Sequence, residues 1–221
     1  MNQVAPLQRI RVWDLPLRLF HWALLVCVTG AVLAIEVFDN IDWHQRFGFG
    51  VLALVIFRIL WGFVGGRHAR FASFVRGPGT MLAYLRSSVA HGVGHNPLGA
   101  VSVLALLLVL ALQAGSGLFM TDEIFFEAPL FKYVSGATAS LLGSLHEINV
   151  NVLYALVALH VAAILFYRFV KRNNLVTPMI TGSKAVTAEE ATHADTGGAA
   201  WLGLVVFALA AAVVWYIATR L

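Results

Sequence analysis

Residues 146–160 read HEINVNVLYALVALH, so a histidine stands at each end of an apolar stretch. Fourteen residues separate His146 from His160. At about 100° per residue on an α-helix this is four turns less about 40°, so both imidazoles face the same side. The rise along the helix places them about 21 Å apart, which is most of the thickness of a membrane's hydrocarbon core. Such a helix can serve two stacked groups, one near each membrane surface.

The composition of the whole chain is that of an integral membrane protein. Of its 221 residues, 60% are hydrophobic and 12% are charged, and the mean hydropathy is +0.81. A membrane-spanning helix needs about 20 mostly apolar residues, and the sequence offers such stretches at 17–35, 47–65, 97–120, 149–169 and 199–218. These stretches are continuous rather than alternating, which excludes a soluble protein and disfavours a transmembrane β-barrel. The sequence therefore predicts an all-α integral membrane fold.

The arrangement of the stretches predicts three parts. We expect a four-helix transmembrane bundle over 1–172, a hydrophilic cytoplasmic linker over 173–198 and an additional transmembrane helix over 199–221. The first stretch has no convincing cleavage signal, so it is interpreted as a real helix. Cys27 is the one cysteine, which excludes a disulfide within the chain and covalent haem attachment through C-x-x-C-H.

The distribution of charge predicts the orientation, because Lys and Arg accumulate on the cytoplasmic side of a membrane. The N-terminal segment and the segments 67–95 and 168–198 carry eleven Lys and Arg and four acids, whereas the opposite side carries three and seven. The net charge is thus +7 on the first side and −4 on the opposite side. We expect a bacterial inner (plasma) membrane protein with a cytoplasmic N-terminus and a periplasmic C-terminus. The pI of about 9.6 follows from this sorting, so no nucleic-acid partner is predicted.

Four of the eight histidines lie in or at the end of an apolar stretch, where ionisable residues are costly and usually functional. His44 opens the second stretch on the outer side, level with His146, which opens the fourth. His21 lies one turn into the first stretch from the inner side, near the depth of His160. A six-coordinate haem needs two axial ligands at one depth. We therefore predict an outer b-type haem held by His44 and His146 and an inner one held by His21 and His160, against the alternative of four unrelated histidines in helix contacts.

Other residues fit two stacked haems. Arg58 follows His44 by 14 residues, so it lies on nearly the same face and one haem level deeper, where it can pair with a propionate of the inner haem. Arg18 precedes His21 by three residues and is a candidate for the same role, with snorkelling to the interface as an equal alternative. Four glycines would let a flat macrocycle approach a helix or would serve plain helix packing: Gly48, Gly50, Gly115 and Gly117.

The remaining histidines lie in hydrophilic segments, where we interpret them as solvated or interfacial: His68, His91, His95 and His193. The i, i+4 spacing of His91 and His95 is compatible with a metal, but nothing else in the sequence supports one. The sequence has no triad, paired carboxylates, phosphate loop or nucleic-acid motif, so no catalytic residue is predicted.

Several short motifs together are similar to one family: Val12-Trp13-Asp14-Leu15-Pro16 followed by Arg18, His21 and Trp22, then Arg58-Ile59-Leu60-Trp61-Gly62, His95-Asn96-Pro97-Leu98-Gly99 and His146-Glu147. They resemble the prokaryotic membrane di-haem cytochrome b family, which includes the cytochrome b subunits of nickel-iron hydrogenases and related quinone-linked complexes. The resemblance covers about residues 8–182. It implies a four-helix haem bundle with bis-histidine ligation at His21, His44, His146 and His160. Some members have only four helices, so the fifth span departs from the pattern.

Two stacked haems predict electron transfer between the membrane faces. We expect two haem b as cofactors and, as partners, membrane lipid, quinone and a periplasmic c-type cytochrome or other redox subunit. The outer acids form an anionic surface that would steer a basic partner: Asp39, Asp42, Asp122, Glu123 and Glu127.

Other function classes stay open beside this one. A superoxide-oxidising or other quinone-reducing enzyme is one alternative, although superoxide would need positive steering and the outer side carries −4. A haem-bearing anchor subunit of a hydrogenase-like complex is another, whereas a bare anchor would not require four intramembrane histidines. A transporter should show inverted repeats or broken helices, and none is evident. A visible absorption spectrum separates these classes.

Overall fold

The computed structural model describes residues 7–75, 77–86, 93–122, 124, 126–192, 194 and 197–221. Among these residues, five helices are long and apolar enough to cross a membrane: α1 (Leu15–Glu36), α2 (Ile41–Val64), α5 (Pro97–Gly117), α6 (Gly136–Phe169) and α9 (Ala200–Arg220). The shorter elements are β1 (Gln8–Arg11), α3 (Phe71–Phe74), α4 (Pro78–Arg86), a 3-10 turn (Phe131–Tyr133), α7 (Val176–Thr181), β2 (Ser183–Val186) and α8 (Ala188–Ala191). The prediction of an all-α integral membrane protein with five spans is confirmed.

Four of the long helices begin where a polar side chain satisfies an N–H group of the first turn. Before α1, the N–H of Leu17 donates to Oδ1 of Asp14 at 2.8 Å. The same role is taken by Asn40 before α2, Asn96 before α5 and Ser135 before α6. These caps set the starting points of the spans more sharply than the apolar pattern does.

The helix that carries two of the candidate ligands is longer than its apolar stretch. α6 begins at Gly136, thirteen residues before the predicted start at 149. The added segment is rich in small and polar residues, and a capped helix needs no apolar face where it leaves the membrane. The expectation that His146 opens the fourth helix is therefore wrong, because His146 lies ten residues inside α6. His160 lies further along the same uninterrupted helix.

One compact unit comprises the described residues of Met1–Leu19, Leu60–Leu104 and His160–Leu204. In it, β1 pairs with β2 as a two-stranded antiparallel sheet, with Gln8 opposite Val186 and Arg11 opposite Ser183. Four side chains form the apolar core of this region: Ile10, Val12, Val93 and Val186. The segment 173–198, which the sequence predicts as a linker, thus contains α7, β2 and α8.

Asp14 is a buried acid of this unit that accepts several hydrogen bonds. Its carboxylate is 2% exposed and accepts the indole N–H of Trp61 at 3.1 Å and the backbone N–H of Gly66 at 3.0 Å, in addition to the cap on Leu17. Trp61 is completely buried. The charge count places Asp14 among the cytoplasmic acids, but its carboxylate holds the start of α1 against the end of α2 and the residues that follow it.

The second compact unit comprises Phe20–Ile59, Ala105–Leu159 and Val205–Leu221. Its core joins α2, α5 and α6 through five buried residues: Val51, Val55, Val109, Leu110 and Leu153. α1 packs against this core with Leu24, Cys27 and Val28. In α9 the buried residues Val206, Ala210 and Val214 recur every fourth position, so this helix presents one narrow face to the protein.

Candidate functional site

α2 and α6 bring His44 and His146 together in the second unit. The centres of the two imidazole rings are 6.2 Å apart, and the ring planes meet at 75°. Both side chains are partly buried. Two histidines from separate membrane-spanning helices therefore face one small volume, as their predicted common depth requires.

Both rings have Nδ1 occupied by a neighbouring acceptor. Nδ1 of His44 lies 2.9 Å from the carbonyl oxygen of Ala31. A carbonyl can only accept, so this contact places the hydrogen of neutral His44 on Nδ1. Nε2 then keeps its lone pair, and a ring nitrogen in this state can bind a metal ion.

His146 is oriented in the same way by α5. Its Nδ1 lies 3.1 Å from Oγ of Ser116, whose own hydroxyl donates to the carbonyl of Leu112 at 2.6 Å. Because the serine hydrogen is used there, Ser116 accepts from Nδ1 of His146, and Nε2 again keeps its lone pair. Ser116 is buried in an apolar helix. A hydroxyl that fixes a candidate ligand is a feature that the sequence analysis missed.

The spacing of the two rings fits one metal ion between them. A metal–imidazole bond is about 2.0–2.1 Å long and the ring centre lies about 1 Å beyond the bonded nitrogen, so two imidazoles on opposite sides of one ion have centres about 6 Å apart. The observed distance between the ring centres, 6.2 Å, matches this length. A haem supplies the equatorial nitrogens itself and takes two axial protein ligands. The donor set is thus suited to a haem iron.

Two of the four glycines leave space and two make close contacts. A Cβ at Gly48 or Gly115 would meet nothing within 4 Å. A Cβ at Gly117 would lie 3.2 Å from Cε1 of His146, so a larger residue there would press on the ring. At Gly50 the nearest atom is Sγ of Cys27 at 2.9 Å, which indicates helix packing rather than room for a cofactor.

A buried amide holds α6 to α5 one turn from His146. Asn149 is 5% exposed, and its side-chain N–H groups donate to the carbonyl of Val109 at 2.9 Å and to Oε1 of Gln113 at 2.7 Å. Buried polar bonds of this kind fix the rotation of a helix, because breaking them leaves unsatisfied groups. The signal was present in the sequence as an asparagine within an apolar stretch, three residues after a candidate ligand.

The two candidate ligands of the inner haem, His21 and His160, lie in different compact units of the chain. His21 lies in the second turn of α1, in the second unit, where its ring makes an edge contact with Trp22 at 5.2 Å. His160 lies in α6 at the border of the first unit. Both are partly buried. The pairing of His21 with His160 stays a prediction.

The two candidate arginines differ in their surroundings. Arg58, six residues before the end of α2, is 2% exposed, which is unusual for a guanidinium within a membrane-spanning helix. Arg18 is partly buried, and its Nη1 donates to the backbone carbonyl of Ile180. Arg18 thus binds the C-terminal turn of α7 instead of extending freely to the interface.

The ring of His95 contacts aromatic side chains that the sequence did not indicate as its neighbours. Its ring is partly buried, with ring centres 4.6 Å from Trp13 and 4.7 Å from Phe74. His68 contacts the same Trp13 ring at 6.3 Å. His91 and His193 lie outside the described residues. His95 thus lies partly buried against aromatic rings from α3 and from the segment before α1, and its interpretation as solvated or interfacial stays a prediction.

A chain of hydroxyl and amide groups lies beside this aromatic cluster. The side-chain amide of Asn96 donates to the hydroxyl of Tyr167 at 2.7 Å, and that hydroxyl lies 2.9 Å from the hydroxyl of Tyr84. Burial, and then the hydrogen bond to Tyr167, raise the pKa of Tyr84 to about 12. Tyr84 is therefore neutral at physiological pH, and this network ties α4 to α6 without charge.

These features define a class of protein: two membrane-spanning helices bring a pair of imidazoles together, and imidazole is the type of ligand that binds the iron of b-type haem. A family model described as prokaryotic cytochrome b561 matches residues 12–182. No curated protein and no solved structure matches the chain significantly.

The match spans more than half of the chain, and the chain belongs to the prokaryotic cytochrome b561 family. It is therefore a multi-pass membrane cytochrome that carries b-type haem and takes part in electron transfer. The resemblance seen in the sequence motifs is confirmed. The match ends at residue 182, so β2, α8 and α9 lie beyond it.

Proposed function

We propose that this cytochrome carries electrons through two stacked haem b groups between the membrane quinone pool and a periplasmic redox partner such as a c-type cytochrome. The observation that carries the proposal is the pair His44 and His146, with ring centres 6.2 Å apart. The haem-binding part is the four-helix bundle of residues 1–172. The protein lies in the bacterial inner membrane with its N-terminus in the cytoplasm, as the charge distribution favours.

At the outer site, His44 and His146 would hold the iron, and the bound haem would supply one-electron redox chemistry. The carbonyl of Ala31 and the hydroxyl of Ser116 orient the two rings and raise the basicity of Nε2. Asn149 fixes α6 against α5. The chain's own contribution is thus a pair of imidazoles whose orientation is fixed by hydrogen bonds.

At the inner site, His21 and His160 would hold the second iron. Arg58 is proposed to pair with a propionate of this haem, because its guanidinium is buried in α2 and lies 14 residues, about 21 Å along the axis, beyond His44. Arg18 is proposed for the same role through the guanidinium nitrogens other than Nη1, since Nη1 binds the Ile180 carbonyl.

Redox reactions of the purified protein test the proposal. We expect decylubiquinol to reduce the haem, and oxidised c-type cytochrome then to reoxidise it, both followed by the haem absorption bands. A haem that neither decylubiquinol nor menaquinol reduces, and that no quinone reoxidises, would contradict the quinone link.

Arg58→Leu should lower the midpoint potential of the inner haem. A nearby cation favours the less positive, reduced iron, so its loss favours the oxidised form. We expect a fall of about 60 mV, equivalent to about 1.4 kcal/mol, with a smaller shift of the outer haem. Redox titration followed at the haem bands measures both potentials. Arg58→Lys keeps the charge and serves as the control. If neither haem of Arg58→Leu changed its midpoint potential, the proposed place of Arg58 beside the inner haem would be wrong.

The outer acids should accelerate the encounter with a basic partner. Oδ1 of Asp122 accepts the backbone N–H groups of Ile124 at 3.0 Å and Phe126 at 2.7 Å, so this carboxylate also shapes its loop. Asn at this position keeps an acceptor and removes the charge. Glu123 lies outside the described residues.

We expect the rate of reduction of a basic c-type cytochrome to fall about tenfold from low to high salt, because salt screens the steering charges. Asp122→Asn combined with Glu123→Gln should slow the reaction at low salt and weaken its salt dependence. Stopped-flow mixing measures the rate. A salt-independent rate, or one unchanged by the double substitution, argues against electrostatic docking at this face.

A further inference from the structure

A carboxylate and a phenol meet on the exposed surface of the second unit. The hydroxyl of Tyr154, in α6, donates to Oε1 of Glu36 at 3.3 Å. Glu36 is the last residue of α1 and is exposed, and Tyr154 is 39% exposed. Ionisable groups in membrane-spanning helices usually face the interior of the protein. This pair faces outward instead, among exposed apolar side chains such as Leu33 and Val157.

The directions of the two side chains explain how they meet. Every Cα–Cβ bond in a helix leans toward the helix N-terminus. α1 and α6 run in opposite directions across the membrane, so Glu36 leans inward from the end of α1 while Tyr154 leans outward. Tyr154 lies five residues into the apolar stretch 149–169, about 8 Å along the axis. Glu36 thus places its carboxylate toward the apolar layer rather than extending it into water.

The exposed face of α6 carries further polar groups near this pair. Asn151 and Glu147 precede Tyr154 by three and seven residues, so all three lie on one side of the helix. The side-chain amide of Asn151 donates to the backbone carbonyl of Glu147 at 3.0 Å. Exposed apolar residues, Ile148 and Val152, lie between them. A polar strip bordered by apolar side chains fits a ligand with a polar head and an apolar body.

We propose that Glu36 and Tyr154 form a quinol-binding site in the outer leaflet, in which the Glu36 carboxylate accepts the proton of the quinol hydroxyl. Tyr154 binds Oε1, so the other carboxylate oxygen, Oε2, can accept the hydroxyl of the quinol. Tyr154 lies between the two candidate ligands of α6, eight residues after His146 and six before His160, about 12 Å and 9 Å along the axis, and its side chain leans toward the His146 end. This inference rests on the proposed function, since the haem is the electron acceptor.

The quinol loses two electrons and two protons and leaves as quinone, and two ferric haems become ferrous. Each proton passes from a quinol hydroxyl to the Glu36 carboxylate and then to water at the outer surface. Glu36 is therefore a catalytic base, and Tyr154 is a positioning residue that holds its carboxylate. A transmembrane helix of a partner protein is the other occupant that such a strip could take, but the carboxylate at the membrane surface favours a lipid-soluble proton donor.

The test compares Glu36→Gln and Tyr154→Phe with the unmodified protein in lipid nanodiscs. Tyr216→Phe is the matched control, because Tyr216 is an exposed tyrosine of α9. One readout is the rate of haem reduction by decylubiquinol, and a second is the rise in unfolding temperature on adding decylubiquinone, which reports binding without turnover. Dithionite-reduced spectra confirm that each variant has its full haem content.

We expect decylubiquinol to reduce the haem of Glu36→Gln at least about tenfold more slowly than that of the unmodified protein. This variant should also lose most of the rise in unfolding temperature that decylubiquinone causes. Tyr154→Phe should show a smaller fall in rate, and Tyr216→Phe should match the unmodified protein. If decylubiquinol reduces the haem of the unmodified protein and of both variants at the same rate, the assignment of this quinol site is wrong while the proposed function stands. If quinol does not reduce the unmodified protein, the proposed function fails and this inference fails with it.

Discussion

His146→Ala and His44→Ala should each remove the outer haem and leave a chain with one haem. A low-spin haem needs both imidazoles, and the centres of these two rings lie 6.2 Å apart. His21→Ala and His160→Ala should each remove the inner haem instead. The ratio of haem to protein gives the number lost, and the midpoint potential of the remaining haem shows which one was kept.

The matched control for these variants is His68→Ala. His68 contacts Trp13 on the inner side and is not a predicted ligand, so both haems should remain. The pairing would be wrong if His44→Ala and His160→Ala left haems of the same potential, or if His146→Ala kept two haems per chain.

Asp14→Ala should destabilise the protein by about 3 kcal/mol or more. The carboxylate accepts hydrogen bonds from Leu17, Trp61 and Gly66, and losing a buried acceptor costs about 1–3 kcal/mol for each donor left unsatisfied. For a chain of this length the unfolding temperature should fall by about 10 °C. Thermal unfolding followed by intrinsic fluorescence measures the change.

Two variants show whether the hydrogen bonds cause this loss. Asp14→Asn keeps one acceptor oxygen and should lose less stability than Asp14→Ala. Asp42→Ala removes an exposed aspartate from the first turn of α2 and should change the unfolding temperature little. Equal unfolding temperatures for Asp14→Ala and Asp42→Ala would contradict the role given to Asp14.

The spans could be predicted from sequence because membrane insertion depends on local composition. About 20 apolar residues suffice to identify a helix, and all five stretches are helical. The contact between His44 and His146 was predictable for a related reason. Helix direction follows from counting spans, so His44 and His146 fall at a common depth without any knowledge of packing.

Features that depend on distant or polar contacts could not be predicted in this way. β1 pairs with β2 across most of the chain, and two four-residue strands carry too little pattern to indicate a partner. The start of α6 depends on Ser135 rather than on hydropathy. Asp14 was counted only as one of the cytoplasmic acids, since the sequence does not show that Trp61 and Gly66 fold around it.

The haem content of the unmodified protein tests the central claim most directly. The ratio of extractable haem b to protein, measured by the pyridine haemochrome spectrum and amino-acid analysis, should be two per chain, with low-spin signals from both haems in the oxidised protein. A ratio of one, or a high-spin signal from a haem with a single imidazole ligand, would contradict two bis-histidine haems.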